Sequence, residues 1–504
     1  MVRTLMEDSD QREQICKSVD KFAKLARHAM YVDMEQQQQN SHVVLLPLPS
    51  QGHFTPMLSL AQLLCHAGIH VTFLITKHSH SLFTQRDALS ARFPTLHFES
   101  IPDGLPPDHG RKFSALHEVG ASLRSTIKPF LRELLISLTK KDDETSNDGS
   151  TRRRLPPLRC MVIDGIFMCF AIDVAEEVGI PIFALRTTSA CSFWCYTCIP
   201  DLIQQGQLPF QDEDMDQPIR DIPGMESLLR RRDLPSFCKM PIDHPTFKFF
   251  VEEFEAITRV SALILNTFDD LESPILSHIA TRFPKIYTLG PFHALLKSRI
   301  GNDLSSSASS LRHQDRRCMT WLDSQQLRSV IFVSFGSLVK LTRVQLLEFW
   351  HGLIDSGKPF LWVIRSDMLW NEQEAHATSV KLEVGTKEKG FIAEWVPQEE
   401  VLAHKAIGGF LTHSGWNSTI EGIWAGVPML CWPQIADQPV NSRWVGEGWK
   451  IGLDMKDTCD RSTVEKMVRA LMEEGDRSAQ IFKSVDTFAK LARHAFTMEG
   501  LSLY

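Results

Sequence analysis

No apolar run in this 504-residue chain approaches the roughly 20 residues that a membrane-spanning helix needs, so insertion into a bilayer is not expected. The first 30 residues are charged and helix-patterned without an apolar central stretch, so no secretory signal is expected either. Cysteine is sparse and scattered. Of the 11, Cys191, Cys195 and Cys198 cluster but lack the paired histidines of a zinc site, and no dense disulfide framework is visible. Reduced, packed thiols in a cytoplasmic protein are the expectation. The net charge of -7 offers no basic surface to nucleic acid or to an anionic membrane. The basic runs Arg152–Arg154 and Arg230–Arg232 are short and read as solvated loop charge. A GxGxxG fingerprint is also missing after the first strand, where the chain reads PLPSQGHFTPM, which argues against a nicotinamide oxidoreductase.

What is present is an ordinary globular composition, 43% apolar and 23% charged, in a chain too long for one hydrophobic core. From His42 onward short apolar β-rich runs alternate with helical patterns, the signal for α/β domains with parallel sheets. VVLLPL, HVTFLIT, LHFESI, CMVID, IPIFAL and ALILNTF read as the strands of one doubly wound, Rossmann-like domain. Thr55 and Pro56 look like the cap and first turn of its first helix, which Gly68 ends. After a Ser-rich stretch the pattern restarts with SVIFVSF, PFLWVIR, GFIAEWV, GGFLTH, VPMLCW and KIGLDM. The expected division is a first domain over 34–297, a linker over 298–320, a second domain over 321–479 and a tail helix over 480–504 that packs back on the first domain.

One repeat falls outside this plan. Met1–Ala29 matches Met467–Ala495 at a constant offset, with 21 identities in 29 positions. It occurs only at the two ends, unlike a solenoid repeat. A second copy of the tail helix ahead of a separate start at Met34 is expected to lie outside the fold, so residues 1–33 are set aside. The rival reading is a regulatory extension that mimics the tail.

The most informative segment is Trp395–Gln438, WVPQEEVLAHKAIGGFLTHSGWNSTIEGIWAGVPMLCWPQIADQ. A strand over Gly409–Thr412, a polar loop over His413–Asn417 and a helix opening at Ser418 would gather backbone N–H groups and a positive helix end, a cradle for a diphosphate. These residues resemble, almost one for one, the signature box of plant secondary-product UDP-glycosyltransferases (family 1). The resemblance covers nearly all of residues 42–496 and is densest in the second domain. It implies a GT-B fold of two Rossmann-like domains facing across a cleft, and UDP-glucose as co-substrate.

The resemblance also implies roles for individual residues. Trp395 would stack on uracil, with a core aromatic as the alternative, and Val396 and Gln398 would sit beside it. His413, Gly415, Asn417 and Ser418 would hold the diphosphate, joined by Ser337 in the FGS turn. Glu421 would bind the ribose hydroxyls, although Ser418 and Glu421 also have the spacing of a helix capping box. Asp437 and Gln438 would grip the sugar with Trp416 beside them, and Gln438 is the choice typical of glucose users. No metal or other cofactor is expected, because Asp142–Asp143 and Asp269–Asp270 do not form a DxD pair in a suitable loop.

In the first domain His53 and Asp164 both follow parallel strands, and the resemblance makes His53 the general base and Asp164 its orienting partner. Thr187 and Thr188 would touch the sugar or the diphosphate. The implied reaction is inverting transfer of glucose to a hydroxyl or carboxyl of a small hydrophobic plant metabolite. The segments IPGMESLLRRRDLPSFC and FALRTTSACSFWC resemble the iridoid (7-deoxyloganetic acid type) branch of the family. Phe167, Phe193, Trp194 and Phe210 are candidates for an apolar acceptor pocket, with core packing as the alternative for each, and Arg186 for an acceptor carboxylate. The partners expected are therefore a UDP-sugar and a small acceptor, with no nucleic acid and no membrane, bound by a monomer. The alternative is a non-catalytic UDP-sugar or small-molecule binding protein built on the same fold.

Overall fold

The computed structural model describes residues 41–106, 116–139, 155–210, 214–283, 285–301, 310–369, 386 and 389–495. Residues 1–33, the basic run Arg152–Arg154, Asp142–Asp143, most of the Ser-rich stretch and the last residues of the tail lie outside them. The chain divides into two compact units. The first takes the described parts of Met1–Thr187, Lys248–Asn266 and Ile279–Leu304; the second takes those of Thr188–Phe247, Thr267–His278 and Ser305–Tyr504.

The first unit holds a seven-stranded sheet of β1 (His42–Leu46), β2 (His70–Thr76), β3 (Leu96–Ile101), β4 (Leu158–Asp164), β5 (Ile182–Arg186), β6 (Ala262–Leu265) and β7 (Ile286–Thr288), in the order 3-2-1-4-5-6-7. Its pairings are all parallel. The six strands read from the sequence are present. The seventh is a three-residue edge strand, only half-buried, too short to carry a period-2 pattern. The order reverses between β1 and β4, and such a switch point opens a crevice at the carboxyl ends of the strands.

The first helix, α1 (Gln51–His66), starts a turn earlier than the Thr55–Pro56 signal implies. Thr55 does not cap it; its hydroxyl accepts from Gln51 Nε2 at 2.8 Å, and the backbone N–H of Phe54 already bonds the Ser50 carbonyl at 2.7 Å. His53 therefore sits inside the first turn rather than ahead of the helix. Gly68 does end it, at φ 78°.

At the opposite, amino edge of this sheet His42 is fully buried, with Nε2 2.8 Å from Thr72 Oγ1. Burial, with repulsion from His70 and His97 added, pulls its imidazole down to about 4. The folded state thus holds His42 neutral while an unfolded chain would protonate it near 6.5, so stability is complete above about 6.5 and drains as pH falls toward 4. On the order of 2–3 kcal/mol is at stake by this single group. A His42→Val variant should show a shallower fall of melting temperature between pH 6.5 and 4.5 than the wild type, measured by circular dichroism. Parallel curves would show that His42 does not set acid lability.

The second unit holds a six-stranded parallel sheet of β8 (Val330–Ser334), β9 (Phe360–Val363), β10 (Gly390–Ala393), β11 (Ile407–Thr412), β12 (Met429–Cys431) and β13 (Gly452–Asp454), in the order 10-9-8-11-12-13. Ser334 of β8 lies opposite Thr412 of β11, so the two turns that follow them emerge side by side at the switch point. The helices used below are α2 (Ala190–Gln204), α3 (Gln398–Leu402), α4 (Trp416–Ala425), α5 (Gln438–Arg443), α6 (Arg461–Met472) and α7 (Asp476–His494). The tail helix α7 packs on α4 and α6, burying Ile481, Val485, Ala489 and Ala492.

Two expectations change here. Arg230–Arg232 is not free loop charge: Arg230 and Arg232 both pair with Asp216, and Arg230 and Lys456 close on the fully buried Asp233. Burial alone would raise the Asp233 carboxyl, but Lys456 and Arg230 outweigh it and hold it below its ordinary value. Second, α4 begins at Trp416 rather than Ser418, with Gly415 as its uncapped N-cap. Among the described residues no helix is long and apolar enough to cross a membrane, and every cysteine is a free thiol.

Candidate active site

In the first unit the structure brings together three residues that are far apart in sequence. His53 Nδ1 lies 2.8 Å from Asp164 Oδ2 and 2.9 Å from Thr187 Oγ1. The β4–β5 register places Asp164 opposite Leu185, two residues before Thr187, while α1 carries His53 over the same sheet edge. Asp164 is fully buried and its Oδ1 accepts the Ile166 N–H at 3.2 Å, so the carboxylate is fixed before any substrate arrives. A buried carboxylate facing Nδ1 selects the tautomer with the proton there and leaves the Nε2 lone pair to accept another. The His53 side chain keeps 22% exposure, enough for a hydroxyl to reach it.

Thr187 is thus a partner of the imidazole, a role its sequence context did not signal. Thr188 belongs to the second unit and is buried with an unpartnered hydroxyl. Arg186 is not placed for an acceptor carboxylate: it is 1% exposed and donates from Nη1 to the Gly165 carbonyl, pinning the turn after Asp164. Of the four aromatics, Phe193 and Trp194 are core, the latter donating from Nε1 to the Pro223 carbonyl at 2.9 Å. Phe210 is half-buried under the Arg231 guanidinium. Phe167 is buried against Phe249 and holds φ 65°, a conformation costly for a bulky side chain and found most often near functional sites.

The second unit gathers the signature residues at its own switch point. His413 immediately follows β11, next to the Gly336 turn that carries the half-buried Ser337 after β8. A Cβ on Gly336 would lie 2.4 Å from His413 Nε2 and one on Gly415 2.5 Å from it, so both turns must be bare to close around this ring. Burial, reinforced by the positive charge of Arg365, pulls His413 down to about 4. It is neutral at physiological pH and so is able to hydrogen-bond but not to act as a cation. Its Nδ1 is buried with no protein partner, a polar atom that an anion's oxygen would satisfy. Ser414 turns the chain at φ 64°, its N–H donating to Thr412 Oγ1 at 3.2 Å. The start of α4 follows with Asn417 and Ser418 in its first turn, where helix N–H groups have no partner within the helix.

The Ser418–Glu421 capping box does not form. Because the helix starts at Trp416, both residues lie inside it, and Gln398 Nε2 of α3 donates to Ser418 Oγ at 2.9 Å and to Glu421 Oε2 at 2.7 Å. Loss of solvent, with Glu399 adding repulsion, pushes the Glu421 carboxyl up to about 8 although Gln398 opposes this. Trp395 is half-buried, with the Arg312 guanidinium 5.5 Å from its ring centre; Val396 behind it is buried. The Trp416 ring is core, 6.1 Å from Trp449, so it offers a ligand its backbone rather than its ring. Gln438 Oε1 accepts from the Gln434 and Ile435 N–H groups, which leaves its amide N–H to donate outward.

Sequence reasoning missed Asn441. It is fully buried on α5 and donates to the Ser414 carbonyl at 2.9 Å and to Asp437 Oδ2 at 2.8 Å. Its Oδ1 accepts from Ser189 and Ser192 at the start of α2. The only hint was an amide at i+4 from Asp437. Among the described residues there is no cluster of three or more side chains able to hold a metal.

Two parallel α/β units, one with a His–Asp pair and one with polar residues gathered at its switch point, are the architecture of the GT-B class of nucleotide-sugar transferases. The chain belongs to the UDP-glycosyltransferase family. The family model for UDP-glucoronosyl and UDP-glucosyl transferases matches residues 241–481. A 7-deoxyloganetic acid glucosyltransferase of Catharanthus roseus is 46% identical over 92% of this chain and 95% of its own. Mogroside I-A1 synthase of Siraitia grosvenorii is 47% identical over 92% and 86%. Among solved structures, Os79 from O. sativa in complex with UDP matches with a TM-score of 0.75 at 29% identity, covering 90% of this chain and 96% of that one.

Proposed function

We propose that this UDP-glycosyltransferase transfers glucose from UDP-glucose, with inversion and without a metal, to a hydroxyl or carboxyl of a small hydrophobic terpenoid, iridoid or phenolic compound. The observation that carries the catalytic part is the His53–Asp164 contact at 2.8 Å with Nε2 left over. His53 takes the proton from the acceptor hydroxyl as its oxygen forms a bond to the anomeric carbon; the bond from that carbon to the diphosphate breaks, UDP leaves, and a β-glucoside results. Asp164 balances the imidazolium and Thr187 holds its orientation.

On the donor side, Trp395 stacks on uracil with Val396 and Gln398 beside it, and Glu421 accepts the ribose hydroxyls. Ser337, His413, Gly415, Asn417 and Ser418 meet the diphosphate, and Trp416, Asp437 and Gln438 meet the sugar. The charge that develops on departing UDP is met by helix-end N–H groups and neutral imidazole donation. The likeness to a 7-deoxyloganetic acid glucosyltransferase favours an iridoid or related terpenoid acceptor. The buried free thiols support a cytoplasmic protein.

The test is incubation with UDP-glucose and a panel of iridoid, terpenoid and phenolic acceptors in EDTA, following UDP release and glucoside mass. A glucoside is expected from at least one terpenoid. UDP-glucose binding without turnover of any acceptor would favour a binding protein, and activity lost to EDTA would overturn the metal-free mechanism.

A further inference from the structure

Behind the phosphate-facing turn of the second unit lies a chain of charge that the reaction scheme does not use. Arg365, two residues beyond β9, is 1% exposed in its side chain. Its Nη1 donates to the Gly336 carbonyl, its Nη2 to the Val339 carbonyl at 2.8 Å and its Nε to Asp367 Oδ1 at 2.8 Å. The other oxygen of Asp367 accepts from Arg312 Nη2 at 3.1 Å, and Arg312 is the cation over the Trp395 ring.

We propose that Arg365 and Arg312, joined through Asp367, are positioning residues of the donor site: Arg365 sets the turn that faces the diphosphate, and Arg312 backs the platform for the base. The inference rests on the donor-site reading above. Gly336 and Val339 bracket Ser337, and a carbonyl oxygen turned toward a phosphate would repel it. The guanidinium fork draws both carbonyls inward at once, a task that suits its planar, multiply donating geometry and not a lysine's point charge. Its buried positive charge also lies close enough to help keep His413 neutral. Desolvating a guanidinium this fully is expensive, and Asp367 with the two carbonyls compensates it. Arg312 in turn covers one face of Trp395 by a cation–π contact, which leaves the other for a flat base.

Titration calorimetry of UDP and of uridine on the full chain separates the two ends. Arg365→Gln is expected to weaken UDP by about tenfold or more while uridine stays within about twofold. Arg312→Gln is expected to weaken both by one common factor, about threefold to fivefold. A simple structural defect would not make this split. Equal losses of uridine and UDP in Arg365→Gln, or no loss of either, would overturn the proposal. Should that variant not fold, Arg365→Lys keeps the charge and loses the fork; UDP should weaken by about threefold with uridine unchanged, and wild-type affinity for UDP would refute the fork. A wild-type protein that binds neither ligand would instead remove the donor site itself.

Discussion

His53→Ala is expected to lower kcat/KM for an alcohol acceptor by about 10³-fold while leaving UDP affinity within about twofold. The residue lies in the first unit, with its Nδ1 committed to Asp164 and Thr187. Loss of the base removes the proton acceptor from the transition state and nothing from the nucleotide. Asp164→Asn should lower turnover by about 10²-fold or more, since an amide can present a donor to Nδ1 and favour the wrong tautomer. Steady-state rates with the best acceptor, and UDP titrations of the same variants, check both. Unchanged turnover in His53→Ala would remove the base assignment. An equal loss of UDP affinity would show that the variant had damaged more than the chemistry.

Glu421→Ala is expected to weaken uridine and UDP alike by about 10²-fold, because a carboxylate that accepts two ribose hydroxyls makes charge-assisted bonds. Its pH dependence is the sharper test. In the free protein the carboxyl is raised to about 8, so at pH 7 it is mostly protonated. Binding a diol favours the ionised acceptor, so uridine should bind with release of a proton near pH 7, and its affinity should rise with pH until about 8 and then level. Uridine is the right probe because it carries no phosphate to titrate in that range. Calorimetry in buffers of different ionisation enthalpy would show the released proton, and Glu421→Gln should abolish it. A flat profile in the wild type would mean that Glu421 does not meet the ribose as an ion.

The two sites were legible from sequence to different depths. Trp395–Gln438 is a continuous string, so its members could be named before any coordinates, and the structure brings them to one sheet edge. Their local partners were not legible. Ser418 and Glu421 have capping-box spacing, yet the helix starts two residues earlier and Gln398, from another helix, takes both side chains. Thr187, after its strand, reads as a contact for the sugar or the diphosphate; only the neighbouring strand and helix show that it also meets His53. Phe193 and Trp194 have the composition of a pocket and the burial of a core, and hydrophobicity alone does not tell these apart.

By itself the sequence determined the α/β class and every strand of the first sheet but the short edge strand β7, since periodicity is a property of neighbours along the chain, while the family and the His53–Asp164 pair came from the resemblance of its motifs. Tertiary structure alone decided that Asn441 holds Ser414 and Asp437 together and that Arg365 turns two carbonyls inward. It also decided that the imidazoles of His42 and His413 stay neutral. Those outcomes depend on which distant groups share a buried volume, where desolvation and a few fixed charges outweigh any local preference.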